Sequence, residues 1–256
     1  MKVAVVTPYF NEPRESLWRC HESVLKQTYP ATHLLVADGR PSEAVASWDC
    51  QHTVLPVTHA DGGDTPRGIA AISALNQGFD AIAFLDADNW YAPNHIETCV
   101  DACRKSGSAI AFASRQIVLS TGQLCPFEEI DVVEKRHVDT SCFFVCKEAA
   151  LMAVSWGLVD PAVWQACDRI VFRAIQQRKI KHAWTEQRTV FYTSHWGSHF
   201  AAMGLSPPAD EHHIAWRFVK RNYNPATLEA RFGFDVGLDL HNSNADLFAG
   251  VALVPY

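Results

Sequence analysis

The stretch AIAFLDADNW, residues 81–90, decides how the chain is read. Five apolar residues run into two aspartates one residue apart, Asp86 and Asp88. The spacing alone carries nothing: with 16 aspartates in 256 residues, composition yields about one Asp-x-Asp by chance. What matters is the position. A short, wholly apolar run that ends in polar residues reads as a strand buried on both faces, with the acids just past its carboxyl end.

Working outward, the flanking segments alternate in the same way. VAVVTPY (3–9), HLLVADG (33–39) and TVLPV (53–57) are strands. Pro13 opens an amphipathic helix with Leu17, Trp18, Val24 and Leu25 on its inner side. PRGIAAISALNQG (66–78) is a helix stopped by Gly78, and another helix spans about Pro93 to Lys105. Strand–helix alternation predicts an α/β fold with a mostly parallel sheet over residues 1–105. Ligands of such sheets bind where strand ends gather, and Thr7–Glu12, Asp38 and Asp86–Asp88 all stand at strand ends.

Past residue 106 the pattern changes. SAIAFASRQIVL (108–119) and HVDTSCFFVC (137–146) read as strands, with a helix at 147–155. PAVWQACDRIVFRAIQQRK (161–179) reads as one strong helix and RTVFYTSHW (188–196) as a last strand. From about residue 201 to 256 the chain reads as a helical C-terminal appendage. Within it EHHIAWRFVKR (211–221) is a helix that packs on the main domain or on a second copy of the chain.

Composition bounds the function. Hydrophobic residues make up 48% of the chain, enough for one large core. The net charge of −6 and the lack of a basic run exclude a nucleic-acid surface, which needs clustered positive charge. None of the eight cysteines forms C-x-x-C, so they read as small buried hydrophobes in a reducing compartment. The N-terminal apolar run is too short for a signal peptide, and no stretch reaches membrane-span length. The expectation is a cytoplasmic protein, at most peripheral to the inner face of the membrane, and homo-oligomerisation stays open.

Two carboxylates past a strand repel each other and call for a cation or hydrogen-bond donors. Oxygen ligands favour Mg²⁺ or Mn²⁺ bridging a diphosphate. The plainer reading is a solvated turn with Asp88 capping the next helix.

Five segments, in order, resemble the family 2 glycosyltransferases over roughly residues 3–200. VAVVTPYFNEP is similar to that family's opening strand and loop, LLVADGRPSE to its second-strand aspartate turn, and ALNQGFDAIAFLDADNWYAPNHI to its metal-binding segment. VDTSCFFVCKEAA is similar to the acceptor-side strand and CDRIVFRAI to the helix with the catalytic acid. The resemblance implies a GT-A (Rossmann-like) domain over 1–200, with a nucleotide-sugar half (1–105) and an acceptor and catalytic half (106–200). It implies an inverting, metal-dependent transfer of one sugar from a nucleotide-sugar donor to a carbohydrate or glycolipid acceptor, in polysaccharide, lipopolysaccharide or other glycoconjugate synthesis.

Carried over by position, Thr7, Pro8 and Glu12 line the nucleotide, Asp38 faces the base and Asp86 the ribose. Asp88 holds Mn²⁺ or Mg²⁺, with His195, or else His199, as a further ligand. Arg67 either contacts phosphate or sits at a solvated helix start. Asp168 is the general base; the plainer reading is a helix-surface acid that pairs with Arg169 or Arg173. Asp139 is the reserve candidate for the base, or else touches the donor sugar or caps a strand end. Two departures stand out: Ala37 precedes Asp38 and Cys167 precedes Asp168, where the family usually has a second acid. Phosphatases of the haloacid dehalogenase type also carry D-x-D, but Trp90 stands where they have Thr or Val. A sugar-1-phosphate nucleotidyltransferase expects a Gly-rich loop after the first strand, and TPYFNEP has no Gly. A non-catalytic nucleotide-sugar-binding protein remains the other class.

Overall fold

A computed structural model describes residues 1–212, 216–237 and 252–256 of the chain. The strands are β1 (Val3–Tyr9), β2 (Ala31–Ala37), β3 (Gln51–Val54), β4 (Ala81–Phe84), β5 (Trp90–Tyr91), β6 (Ile110–Leu119), β7 (Phe127–Glu129), β8 (Phe143–Cys146), β9 (His182–Ser194) and β10 (Leu253–Pro255). The helices are α1 (Arg14–Leu25), α2 (Asp64–Asn76), α3 (His95–Ser106), α4 (Ile130–Val133), α5 (Ala150–Val154), α6 (Cys167–Gln177), α7 (Gly197–Ala202), α8 (Trp216–Asn222) and α9 (Pro225–Phe232).

Eight strands form one sheet in the order β3-β2-β1-β4-β8-β6-β9-β5. It is parallel from β3 to β4 and again between β6 and β9, while β8 and β5 run antiparallel to their neighbours. Every residue of β1 and β4 is buried, because helices cover both faces of a parallel sheet. Phe84 and Phe143 pack on the fully buried Trp156, with ring centroids 4.3 and 5.1 Å apart. Gly68 of α2 lies so close to Gly157 that a Cβ on it would sit 2.8 Å from the Gly157 Cα. Two glycines thus let α2 and the turn at Ser155–Leu158 meet backbone to backbone.

Several sequence expectations are corrected. Trp18 and Leu25 of α1 are 42% and 48% exposed; Trp18 packs edge-on against Trp48 outside the main core. Residues 137–142 are not strand. The Asp139 side chain accepts from Ser141 N at 3.0 Å and winds Thr140–Cys142 into a 3-10 turn, the local competition that short acids offer to a ladder. The long helix from Pro161 is broken: Asp160 caps a 3-10 segment, Val163 leaves helical geometry, and α6 starts only at Cys167. That break places Asp168 in the first turn of α6.

The tail helices α8 and α9 bury Val219, Tyr223, Leu228 and Phe232 in the main core. β10 pairs antiparallel with β7, Leu253 opposite Glu129, so a strand stands where a helical tail was expected. The segment 211–221 lies partly outside the described residues, and 238–251 lies wholly outside them.

Candidate active site

The carboxyl ends of β1, β2 and β4 open onto a cavity of about 690 Å³. Pro8 at the end of β1, Glu12 from the loop after it, Asp38 at the end of β2, Arg67 of α2, Asp86 and Asp88 after β4, and His195 after β9 all line it. The topology brings these seven predicted residues together across nearly 190 positions of sequence.

Three predicted residues lie elsewhere. Thr7 is fully buried beneath the cavity, with its hydroxyl 2.9 Å from His33 Nε2, so it supports the loop and cannot line a nucleotide. Asp139 is buried, and its Oδ2 accepts from Arg115 Nη1 at 3.3 Å. Burial pushes the Asp139 pKa up to about 6, with nearby Asp86 and Asp168 adding to it and Arg115 opposing. Asp168 keeps a fifth of its side chain exposed, with Oδ2 2.7 Å from His137 Nε2. Burial raises the Asp168 pKa, but the His137 contact outweighs it and holds this carboxyl below its usual range. The expected pairing with Arg169 or Arg173 does not form: Arg169 turns to Asp131, and Arg173 bonds the Gly237 carbonyl. Only the Arg169 backbone N–H donates to Asp168 Oδ1, at 2.7 Å.

Arg67 is neither solvated nor an open phosphate donor. It is 4% exposed and clamped between Asp64 (3.0 Å) and Asp86 (2.5 Å). Burial pulls its pKa down, and the two carboxylates more than reverse that. Asp38 likewise is committed, since both oxygens take donors from His59, whose ring nitrogen sits 2.6 Å away. Glu12 uses Oε2 to accept from the backbone N–H groups of Phe10 and Asn11, folding its own loop.

Asp88 is arranged differently. Its carbonyl is pinned by Arg19 Nη2 at 2.8 Å and by the Thr193 hydroxyl at 2.5 Å, while Asn89 accepts from Thr193 N at 2.8 Å. The Asp88 carboxylate makes no ion pair within 4 Å among the described residues. It does not cap α3 either, whose cap position is Asn94. Burial first, then Asp86 and Glu12, push the Asp88 pKa up to about 7. An acid crowded by acids at a cavity is a site short of positive charge, which a divalent cation would supply.

His195 Nδ1 lies 2.9 Å from Asp210 Oδ2, and its ring stacks on His212 at 4.8 Å. His199 is fully buried between the Ser194 hydroxyl (2.7 Å) and Glu129 (3.2 Å) and does not line the cavity, so of these two histidines His195 faces it, alongside His212. No group of three His, Cys, Asp or Glu residues converges as a cage among the described residues. The donor set still fits Mg²⁺ or Mn²⁺, which take one or two carboxylates and fill their remaining positions with phosphate and water.

Sequence reasoning missed Arg19, Asp61, Asp64, Arg115 and His137. The Arg19 guanidinium lies over Trp90 at 4.0 Å on the cavity wall. His137 stands 31 residues from Asp168, a separation no local pattern reports.

The model for Glycosyl transferase family 2 matches residues 4–125. Among solved structures the fold is similar to Staphylococcus aureus TarS 1–349 in complex with UDP (12% identity, TM-score 0.58) and with UDP-GlcNAc (13%, 0.59), in each case over 91% of this chain and 70% of that one. GalNAc-T7 with UDP, GalNAc and Mn²⁺ is also similar, at 17% identity and TM-score 0.56, over 75% of this chain and 44% of that one. No curated protein matches in sequence. At these identities the structural likeness carries the architecture alone, and the sequence match over the cavity-bearing half carries the class of chemistry. Residues 4–125 match the family 2 glycosyltransferase model, and the chain takes the GT-A fold of the glycosyltransferases it is similar to.

Proposed function

We propose that the chain moves one sugar from a nucleotide-diphosphate sugar to a hydroxyl of a carbohydrate or glycolipid acceptor, with inversion and with a requirement for Mn²⁺ or Mg²⁺. The single observation that carries this reading is the unpaired, acid-crowded Asp88 carboxylate on a cavity at the ends of β1, β2 and β4. Residues 1–105 then hold the donor, 106–200 the acceptor and the base, and 201–256 form the appendage. The similar structures bind UDP or UDP-GlcNAc, so uridine donors come first.

Transfer demands that charge on the leaving diphosphate be stabilised and that the acceptor hydroxyl lose its proton. A divalent ion at Asp88, with Asp86 and His195 beside it, would supply Lewis-acid neutralisation of the diphosphate. Arg67 keeps Asp86 oriented. Arg19 and Thr193 fix the backbone that aims Asp88. Asp168 takes the acceptor proton, and His137 keeps it ionised and fixed in place. Attack from the face opposite the leaving group inverts the anomeric carbon. No helix among the described residues is long and apolar enough to cross a membrane. Catalysis on the cytoplasmic side, on soluble or membrane-borne acceptors, accords with that.

The test is nucleoside diphosphate release from UDP-sugars with and without Mn²⁺. Release that needs the ion and is lost in Asp88→Ala supports the reading. Undiminished release in chelator removes the metal role, and binding without release marks a non-catalytic binding protein.

A further inference from the structure

Asp61 stands on the cavity wall yet is 2% exposed. Its Oδ2 accepts from Thr65 N at 3.0 Å, answering one of the unpaired N–H groups at the start of α2. Its other oxygen, Oδ1, has no hydrogen-bond partner among the described residues. A buried acceptor without a donor is costly, and such groups are rare without a reason.

The loop holding it is tightly constrained. Ala60, Gly62 and Gly63 all have left-handed backbone, at φ 54°, 64° and 86°. A Cβ on Gly62 would lie 2.4 Å from the Trp164 ring, and one on Gly63 2.7 Å from Pro8. Ala60 is the residue whose left-handed backbone costs energy, and over-determined backbone of this kind accompanies ligand clamps. The loop therefore touches both halves of the molecule. Pro8 belongs to the nucleotide side, and Trp164 belongs to the segment that leads into α6 and Asp168. Asp61 is placed where the two halves meet, close to Asp64, whose carboxyl is in turn influenced by Cys167 and Asp168.

We infer that the unpartnered Asp61 oxygen accepts a hydrogen bond from a hydroxyl of the transferred sugar and so selects the donor. This rests on the nucleotide-sugar reading above. The sugar joins the diphosphate, which Asp86 and Asp88 would face, and the Asp61 loop lines the same cavity as those two acids. A carboxylate accepting from a hydroxyl discriminates strongly, because a donor lacking that hydroxyl leaves the buried oxygen unpaired.

The test is calorimetric titration of the Mn²⁺-loaded protein with UDP and with UDP-GlcNAc, in wild type, Asp61→Ser and Asp61→Asn. Ser and Asn retain an oxygen for Thr65 N, so α2 keeps its start, and UDP binding reports a folded site. The expected result is at least a tenfold loss of UDP-GlcNAc affinity in both variants, with UDP affinity held within twofold. Equal losses for both ligands would place the hydroxyl on the nucleotide and overturn the inference, as would no loss for either. Wild-type protein that binds neither ligand would bring down the nucleotide-sugar reading first, before any variant is compared.

Discussion

His137 Nε2 lies 2.7 Å from Asp168 Oδ2, across 31 residues of chain. The pair joins the segment before the Thr140–Cys142 turn to the first turn of α6, and it ties a proposed base to a partner that favours its ionised form. Asp168→Asn should keep UDP affinity within about twofold and lose turnover by roughly two to four orders of magnitude, the usual worth of a general base. His137→Ala removes the influence that lowers the Asp168 pKa and leaves burial, which raises it. The acid limb of the kcat profile should move to higher pH. An unmoved limb would show that His137 does not tune Asp168. Because folding lowers this pKa, the pair adds stability above the ordinary carboxylate range and loses it only as pH falls below that range.

Asp88 has the opposite sign. Folding raises its pKa to about 7, so the folded state prefers the protonated acid, and stability is lost as pH rises through 7. Metal-free Asp88→Asn should therefore melt above wild type at pH 8, and the gap should narrow as pH falls below 7 and close only below the ordinary carboxylate value of 3.8. Saturating Mn²⁺ should reverse the order at pH 8, because only wild type gains the ion. Mn²⁺ affinity of wild type should fall about tenfold per pH unit well below 7, as protons compete for the same carboxylate.

Arg67 holds two carboxylates while itself buried. Arg67→Met strands the charges of Asp64 and Asp86, and the expected loss is about 3–5 kcal/mol in urea melts. Asp64→Asn in the Arg67→Met background should recover part of it, which a double-mutant cycle measures.

Gly68→Ala tests the close approach of α2 to Gly157. The new methyl has no flexible side chain to displace, only backbone. A loss of about 1–3 kcal/mol is expected despite alanine's better helix propensity. Unchanged stability would mean that the two backbones can separate without cost.

The first half of the fold was legible because it is written in local periods: buried strands ending in acids, then capped helices. Pro8, Glu12, Asp38, Asp86 and Asp88 followed from strand ends alone. The second half was less legible for physical reasons. Asp139 and Asp160 turn their side chains back onto the chain, so segments with strand or helix composition become 3-10 turns. Thr7 sits at a strand end like its neighbours, yet strand alternation points it down toward His33 rather than up toward the cavity. The Arg67 clamp and the His137 contact depend on residues brought together by the tertiary fold, as does the choice between His195 and His199. No one-dimensional pattern carries such meetings.

Trp90 rests flat on Phe191 with centroids 5.2 Å apart, lies beneath the Arg19 guanidinium and borders the cavity. Trp156, by contrast, is sealed in the core. The molecule thus carries its own optical gauge: the indole at the rim feels a change in polarity when the cavity fills, while the one inside supplies a steady background. Emission recorded during titration can follow occupancy without a label.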